Sequence, residues 1–354
     1  MAEQMTPRER VLAAINHQPM DRVPTDIWAV PEVVSALTKA LGKGWSDKLG
    51  IDGFACGWPD YKGPAVPATG NPDELVNEWG IRNRRSLYNG GVYWEQIHYP
   101  LATAQTVDDL EAYSWPTPDW YDYAGMAANL QTQRDKRVVR VGYLALFTYH
   151  MYLRGLEQTL MDPLLDAEFT NHFLNRLADA FLLCHRRLLE ACPWADVLEV
   201  TDDYGSQHGP IMSLEVFRTF YLPHVRRFCA LGKEFGCKVF HHDDGAMSEF
   251  IPDLLDAGID VLNPIQWPCP GMEQERLKRM YGDRLCFHGG IDNQHVMPFG
   301  SEEEVRREVR HNIDALASDR TGYILAPCHN IQAITPVGNI IAMYDEARRY
   351  GQWT

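Results

Sequence analysis

His242 and Asp244 stand two apart, so in an extended segment both side chains lie on one face. Gly245 follows and permits a sharp exit from that segment. A histidine and a carboxylate converging on one point can ligate a divalent metal, and Cys328 or His329 can supply a third ligand. Three protein ligands leave a coordination position open, as catalytic sites need. With His329 the set is two His and one carboxylate, whereas with Cys328 it is softer and favours zinc. The same polar cluster can also bind substrate, or simply itself, without metal.

Asp202 and Asp203 are consecutive carboxylates. If both faced one pocket, one would be pushed to a raised pKa and could act as acid or base. Along a strand they face opposite ways, so the expectation is one capping or salt-bridging and one in the pocket. Further polar residues cluster nearby in Glu199, Gln207 and Asn263. Aromatic residues are plentiful, and Trp28, Trp58, Tyr61, Trp79, Tyr93, Trp94, Phe147, Tyr149 and Tyr152 can wall a cavity for a flat or apolar ligand. From these, Trp28, Trp58, Tyr149, Asp203, Gln207 and Asn263 are the expected substrate contacts.

These residues need a scaffold that brings distant segments together. Short β-rich runs cover 23–28, 53–58, 138–143, 196–201, 238–242, 260–263, 285–288 and 322–326, which makes eight candidate strands. Amphipathic helical patterns cover 31–41, 168–191, 214–234, 247–257, 302–315 and 339–350. Strand-helix alternation requires parallel strands with crossovers, and eight units predict a closed (β/α)8 TIM barrel. Thr6, Pro7 and Glu9 predict a capped N-terminal helix to about Asn16. Residues 70–122 break the rhythm and read as a hairpin insertion after the second strand, its arms 80–87 and 92–99 turning at Asn89-Gly90. The whole chain, 1–354, reads as one barrel domain. In such a barrel the strand C-terminal ends carry the site, which is where the polar clusters fall.

Composition excludes other classes. Asp plus Glu is 48 against 33 Lys plus Arg, a formal charge of -15, which repels nucleic-acid backbones and anionic membranes. The start, MAEQMTPRER, has no signal-peptide run, and no window is apolar enough to span a bilayer. The eight cysteines form no Cys-x-x-Cys pair and read as reduced thiols, so the expected location is cytoplasmic. Dinucleotide, P-loop, α/β-hydrolase and zincin signatures are absent.

The opening TPRERVLAAINHQPMDRVPTDIW resembles the start of the uroporphyrinogen decarboxylase superfamily. So do YLRGLEQTLMD, KVFHHDDGAMSEFIPDLLDAGIDVLNPIQ, HGGIDNQ and ILAPCHNIQAITPVGNIIAMYDEA. The resemblance implies a (β/α)8 barrel and one of two chemistries. One is cofactor-free decarboxylation of a porphyrinogen. The other is methyl transfer among methylated substrates, corrinoid proteins and thiols, usually with zinc. The decarboxylase's Arg-rich segment after the first strand is replaced here by Trp28-Ala29-Val30-Pro31-Glu32, and Arg154 is the cation left as a candidate carboxylate grip. The methyltransferase's His-x-Cys-Gly motif reads His242-Asp243-Asp244-Gly245, and its distal Cys position falls at His329, one after Cys328. A His-Asp-His site is harder than a thiolate site and suits water, an alkoxide or a phenolate oxygen.

The resemblance therefore implies a methyltransferase that demethylates a small substrate, an aryl methyl ether or a methylamine-like compound. The acceptor would be a separate corrinoid protein. His242, Asp244 and His329 or Cys328 would hold a divalent metal, zinc foremost. Asp202 or Glu199 would protonate the leaving group, with His242 and His329 beside the chemistry. The alternative is a decarboxylase of a small or tetrapyrrole acid. Such barrels often pair, so the resemblance is compatible with a homodimer, and the sequence does not fix the oligomeric state.

Overall fold

The computed structural model describes residues 5–88 and 91–353. Seven parallel strands form one curled sheet in chain order. They are β1 (Phe54–Gly57), β2 (Val138–Leu144), β3 (Val197–Thr201), β4 (Lys238–His242), β5 (Val261–Asn263), β6 (Cys286–Ile291) and β7 (Tyr323–Pro327). The eighth expected strand, 23–28, lies between β7 and β1 but forms only isolated bridges, such as Thr25 with Leu325. Pro24 has no N–H to donate, and the Thr25 N–H goes to the Asp52 carboxylate at 2.9 Å. The Asp26 N–H still reaches the Leu325 carbonyl, and the Asp52 and Gly53 N–H groups reach the Thr25 carbonyl, so the segment closes the barrel.

The N-terminal helix α1 (Pro7–Ile15) starts at Thr6 with the expected capping box to Glu9. Its Val11, Ala14 and Ile15 pack on the lowest inward-facing residues Val138, Val197, Phe240, Val261, Cys286 and Ile324. That apolar plug seals the end opposite the strand C-termini. The larger core lies between the sheet and outer helices, including α2 (Pro31–Leu41), α3 (Ala167–Ala191), α4 (Leu222–Glu234), α5 (Glu302–Leu316) and α6 (Val337–Tyr350).

Several elements differ from expectation. The run 214–234 is a short helix, a π turn at Phe217–Tyr221, and then α4. Pro223 lacks the N–H that would continue one regular helix. The run 247–257 becomes helical only at Ile251–Ala257, with Pro252 in its first turn. Two helices after β2, Leu146–Arg154 and Leu156–Leu165, were absent from the sequence pattern. The insertion holds the expected hairpin, Arg82–Tyr88 and Gly91–His98, plus a third antiparallel strand, Glu74–Val76. Its turn residues Asn89 and Gly90 fall outside the described residues. The hairpin leans on the barrel mouth, where the Tyr88 hydroxyl donates to Gln332 Oε1 at 2.6 Å. No helix among the described residues is long and apolar enough to cross a membrane.

Candidate active site

Alternation along β4 to β6 points His242, Asn263 and His288 into the barrel, each at or near a strand's C-terminal end. They form a single hydrogen-bonded line. His288 Nε2 lies 3.0 Å from Asp26 Oδ2, Asn263 Nδ2 lies 2.7 Å from His288 Nδ1, and His242 Nδ1 lies 2.6 Å from Asn263 Oδ1. The Trp28 indole N–H also donates to Asp26 Oδ2. A carboxylate only accepts, so His288 carries its proton on Nε2 and accepts the Asn263 amide at Nδ1. The Asn263 carbonyl then takes the His242 Nδ1 proton, leaving the His242 Nε2 lone pair facing the mouth. Burial lowers the His288 pKa and keeps the ring neutral, as this direction requires. Burial would raise Asp26, but contact with His288 and nearby Arg140 outweigh it and hold the carboxylate charged.

Beyond that lone pair stand two carboxylates. His242 Nε2 is 3.9 Å from Asp203 Oδ1 and 3.9 Å from Asp244 Oδ2, and His329 Nε2 is 3.6 Å from Asp244 Oδ2. The ligand atoms of His242, Asp244 and His329 all lie within 4.8 Å of one another. Metal–ligand bonds of about 2.0–2.2 Å place tetrahedral ligand atoms roughly 3.3–3.6 Å apart. The two Asp244 distances, 3.9 and 3.6 Å, are near that range, while the two imidazoles, within 4.8 Å of each other, would draw together on binding. Burial opposes charge on His242, but Asp244 and Asp203 outweigh it and raise its pKa. A divalent cation would take the place of that extra proton. The residues fit such an ion, with one adjustment. His329 Nδ1 accepts the Asn330 N–H at 2.7 Å, which leaves the proton on Nε2, so ligation requires the ring to turn or that bond to yield.

The structure redistributes the other expected roles. Asp202 is buried, and its oxygens accept from the N–H groups of Phe147 and Thr148 and from the Tyr204 hydroxyl. It caps helix Leu146–Arg154, although burial pushes its carboxyl up to about 7. Asp203 is the member of the pair that faces the mouth, as alternation predicts. Cys328 is not in the cluster. Its Sγ turns to the Ile265 carbonyl at 3.3 Å, and burial keeps it a thiol. Asn263 is fully buried between two imidazoles and so cannot touch substrate as expected. Arg154 is no carboxylate grip. It binds Asp162 through two nitrogens, and Nη1 donates to the Leu101 and Ala104 carbonyls.

Among the described residues, two cavities lie at the mouth. The polar one, about 480 Å³, is lined by Gln207, Asp244, Gln266 and His329. The aromatic one, about 520 Å³, is lined by Trp58, Trp79, Tyr121, Tyr149 and Phe181, with Cys56, Glu78, Arg140 and Glu199. Trp58 and Tyr149 are thus placed as expected cavity walls. Trp28 stands at the junction, its ring 5.2 Å from that of His242 and 5.1 Å from the Arg140 guanidinium. Sequence reasoning missed Asp26 and Arg140, and it placed His288 at a strand end without giving it a role. The signal for Arg140 was a charge inside the apolar run Val138-Val139-Arg140-Val141, at an inward position.

The family model for uroporphyrinogen decarboxylase (URO-D) matches residues 95–350, well over half the chain. The chain belongs to the uroporphyrinogen decarboxylase family. Among solved structures, a methyltransferase from Methanosarcina mazei superposes with a TM-score of 0.69 at 18% identity, covering 98% of this chain and 99% of that one. A dihydropteroate synthase from Anaplasma phagocytophilum shares much less, with a TM-score of 0.37, 14% identity, and 57% and 71% coverage. No curated protein sequence matches the chain. This member of the uroporphyrinogen decarboxylase family therefore has the enzyme fold of its superfamily along its whole length, in the form also taken by a methyltransferase.

Proposed function

We propose that this protein is a methyltransferase that moves a methyl group from a small methylated substrate to the cobalt of a separate corrinoid protein. The observation that carries the reading is the convergence of His242, Asp244 and His329 at the barrel mouth, with the His242 Nε2 lone pair turned outward. Those three residues would hold a divalent metal, with zinc the first candidate. When bound, the metal would draw electron density from the substrate's oxygen or nitrogen and make it a better leaving group.

The chain's own residues do the rest. Asn263 and the Asp26–His288 pair hold His242 in one tautomer. Asp203, on the open side of His242, is placed to pass a proton to the departing heteroatom, a role first expected of Asp202 or Glu199. The methyl–heteroatom bond breaks with both electrons staying on the heteroatom, and the methyl bonds to reduced cobalt. The aromatic walls keep water from the reacting methyl.

The assay is substrate-dependent methylation of reduced cobalamin, followed by its absorbance. His242→Ala and Asp244→Ala are each expected to abolish turnover while far-UV circular dichroism stays unchanged. Normal methyl transfer in both variants would contradict the assignment.

A further inference from the structure

Arg140 is a buried guanidinium at an inward position of β2, only 8% exposed. Its Cζ lies 4.5 Å from the Phe240 ring centre, 4.9 Å from that of Phe54 and 5.1 Å from that of Trp28. These faces hold the cation by its π-contacts and provide no acceptors for its N–H edges. Glu199 Oε2 stands 3.2 Å from Nε and the Cys56 side chain also adjoins the guanidinium, but neither gives Nε or Nη1 a well-formed hydrogen bond, and no other described residue does. Buried donors left unpaired are rare and call for an acceptor. Arg140 lines the aromatic cavity of about 520 Å³, which suits a substituted single ring.

Glu199 already balances the arginine's charge, and the Asp26 carboxylate adds to the negative field around it. A carboxylate ligand would meet that field. An uncharged oxygen would accept the free N–H groups without repulsion. We propose that this cavity recognises a flat aromatic ring bearing an uncharged oxygen substituent, such as a methoxyphenol, with Arg140 donating to that oxygen. Trp58, Trp79, Tyr121, Tyr149 and Phe181 enclose the ring. Trp28, 5.1 Å from the Arg140 guanidinium and 5.2 Å from the His242 ring, stands between this cavity's arginine and the metal-ligand cluster. The substrate class rests on the methyl-transfer reading, whereas the binding claim does not. Glu78 also lines the cavity, which makes an organic cation the competing occupant.

The test is ligand titration followed by tryptophan fluorescence and calorimetry. The probes are guaiacol, benzoate and phenyltrimethylammonium, with no corrinoid present. Guaiacol is expected to bind saturably and more tightly than the other two. Arg140→Met should weaken it about tenfold or more, as loss of a charged donor does. The double variant Arg140→Met with Glu199→Gln should lose the same affinity without leaving a lone buried carboxylate, and circular dichroism checks its fold. Unchanged guaiacol affinity in either variant, no guaiacol binding, or tightest binding of benzoate or phenyltrimethylammonium would overturn the proposal. Arg140-dependent guaiacol binding without methyl transfer would count against the methyl-transfer reading alone.

Discussion

Asn263 decides which nitrogen of His242 meets the solvent, although it is itself fully buried behind that ring. Its amide joins two imidazoles and thereby transmits the direction set by Asp26. Partners behind a ligating histidine typically contribute about 10–100-fold to metal affinity. Asn263→Leu is therefore expected to weaken zinc binding by about that factor, read by competition with a chromophoric chelator, while the barrel stays folded. Undiminished affinity would show that the line does not set the tautomer. At this scale the sequence was informative where one segment held two ligands, because spacing alone puts His242 and Asp244 on one face. It was ambiguous at Cys328 and His329, where a shift of one residue reverses the face, and the backbone path after β7 turns the imidazole outward. The Asp26–His288 contact joins residues 262 positions apart, so no local pattern could reveal it.

Elements position the mouth loops through a few buried polar ties. From α5, Glu308 Oε1 accepts the Asp292 N–H after β6 at 2.7 Å and the Trp267 indole N–H after β5 at 3.2 Å. Its Oε2 is buried with no hydrogen-bond partner among the described residues, and burial pushes the carboxyl up from 4.5 to about 7. The folded chain then keeps a proton that the unfolded chain has lost, so stability falls as pH rises from about 4.5 to about 7. That raised pKa corresponds to a loss on the order of 3 kcal/mol over the window. Glu308→Gln should flatten this part of the profile in urea melts at pH values across it, and an unaltered profile would contradict the assignment. The alternation of strands and helices was legible because each obeys its own period. The exceptions have local causes: Pro24 and the Asp52 carboxylate divert the first strand's ladder, and Pro223 breaks the run 214–234. The helices after β2 were missed because Leu146–Arg154 is apolar on most sides and Leu156–Leu165 carries an internal proline.

The molecule as a whole has one working end. The apolar plug of α1 closes the barrel at the strand N-termini, while the ligand cluster and both cavities sit at the other end. A small molecule entering either cavity would pass the insertion hairpin or the loops at this end. The fold class was legible from the count of strand-helix units, but the division of the mouth into an aromatic and a polar cavity was not. The cavities draw on residues from segments far apart in the chain, and Trp28, between Arg140 and His242, is placed by the irregular first segment. The convergence of His242, Asp244 and His329 predicts a metal-ligand site at the mouth. Metal analysis of untagged protein purified without chelators tests it most directly. About one equivalent of divalent metal per chain, lost in His242→Ala, is the expected result. Folded protein that binds no divalent metal when zinc is supplied, or metal content unchanged by His242→Ala, would contradict it.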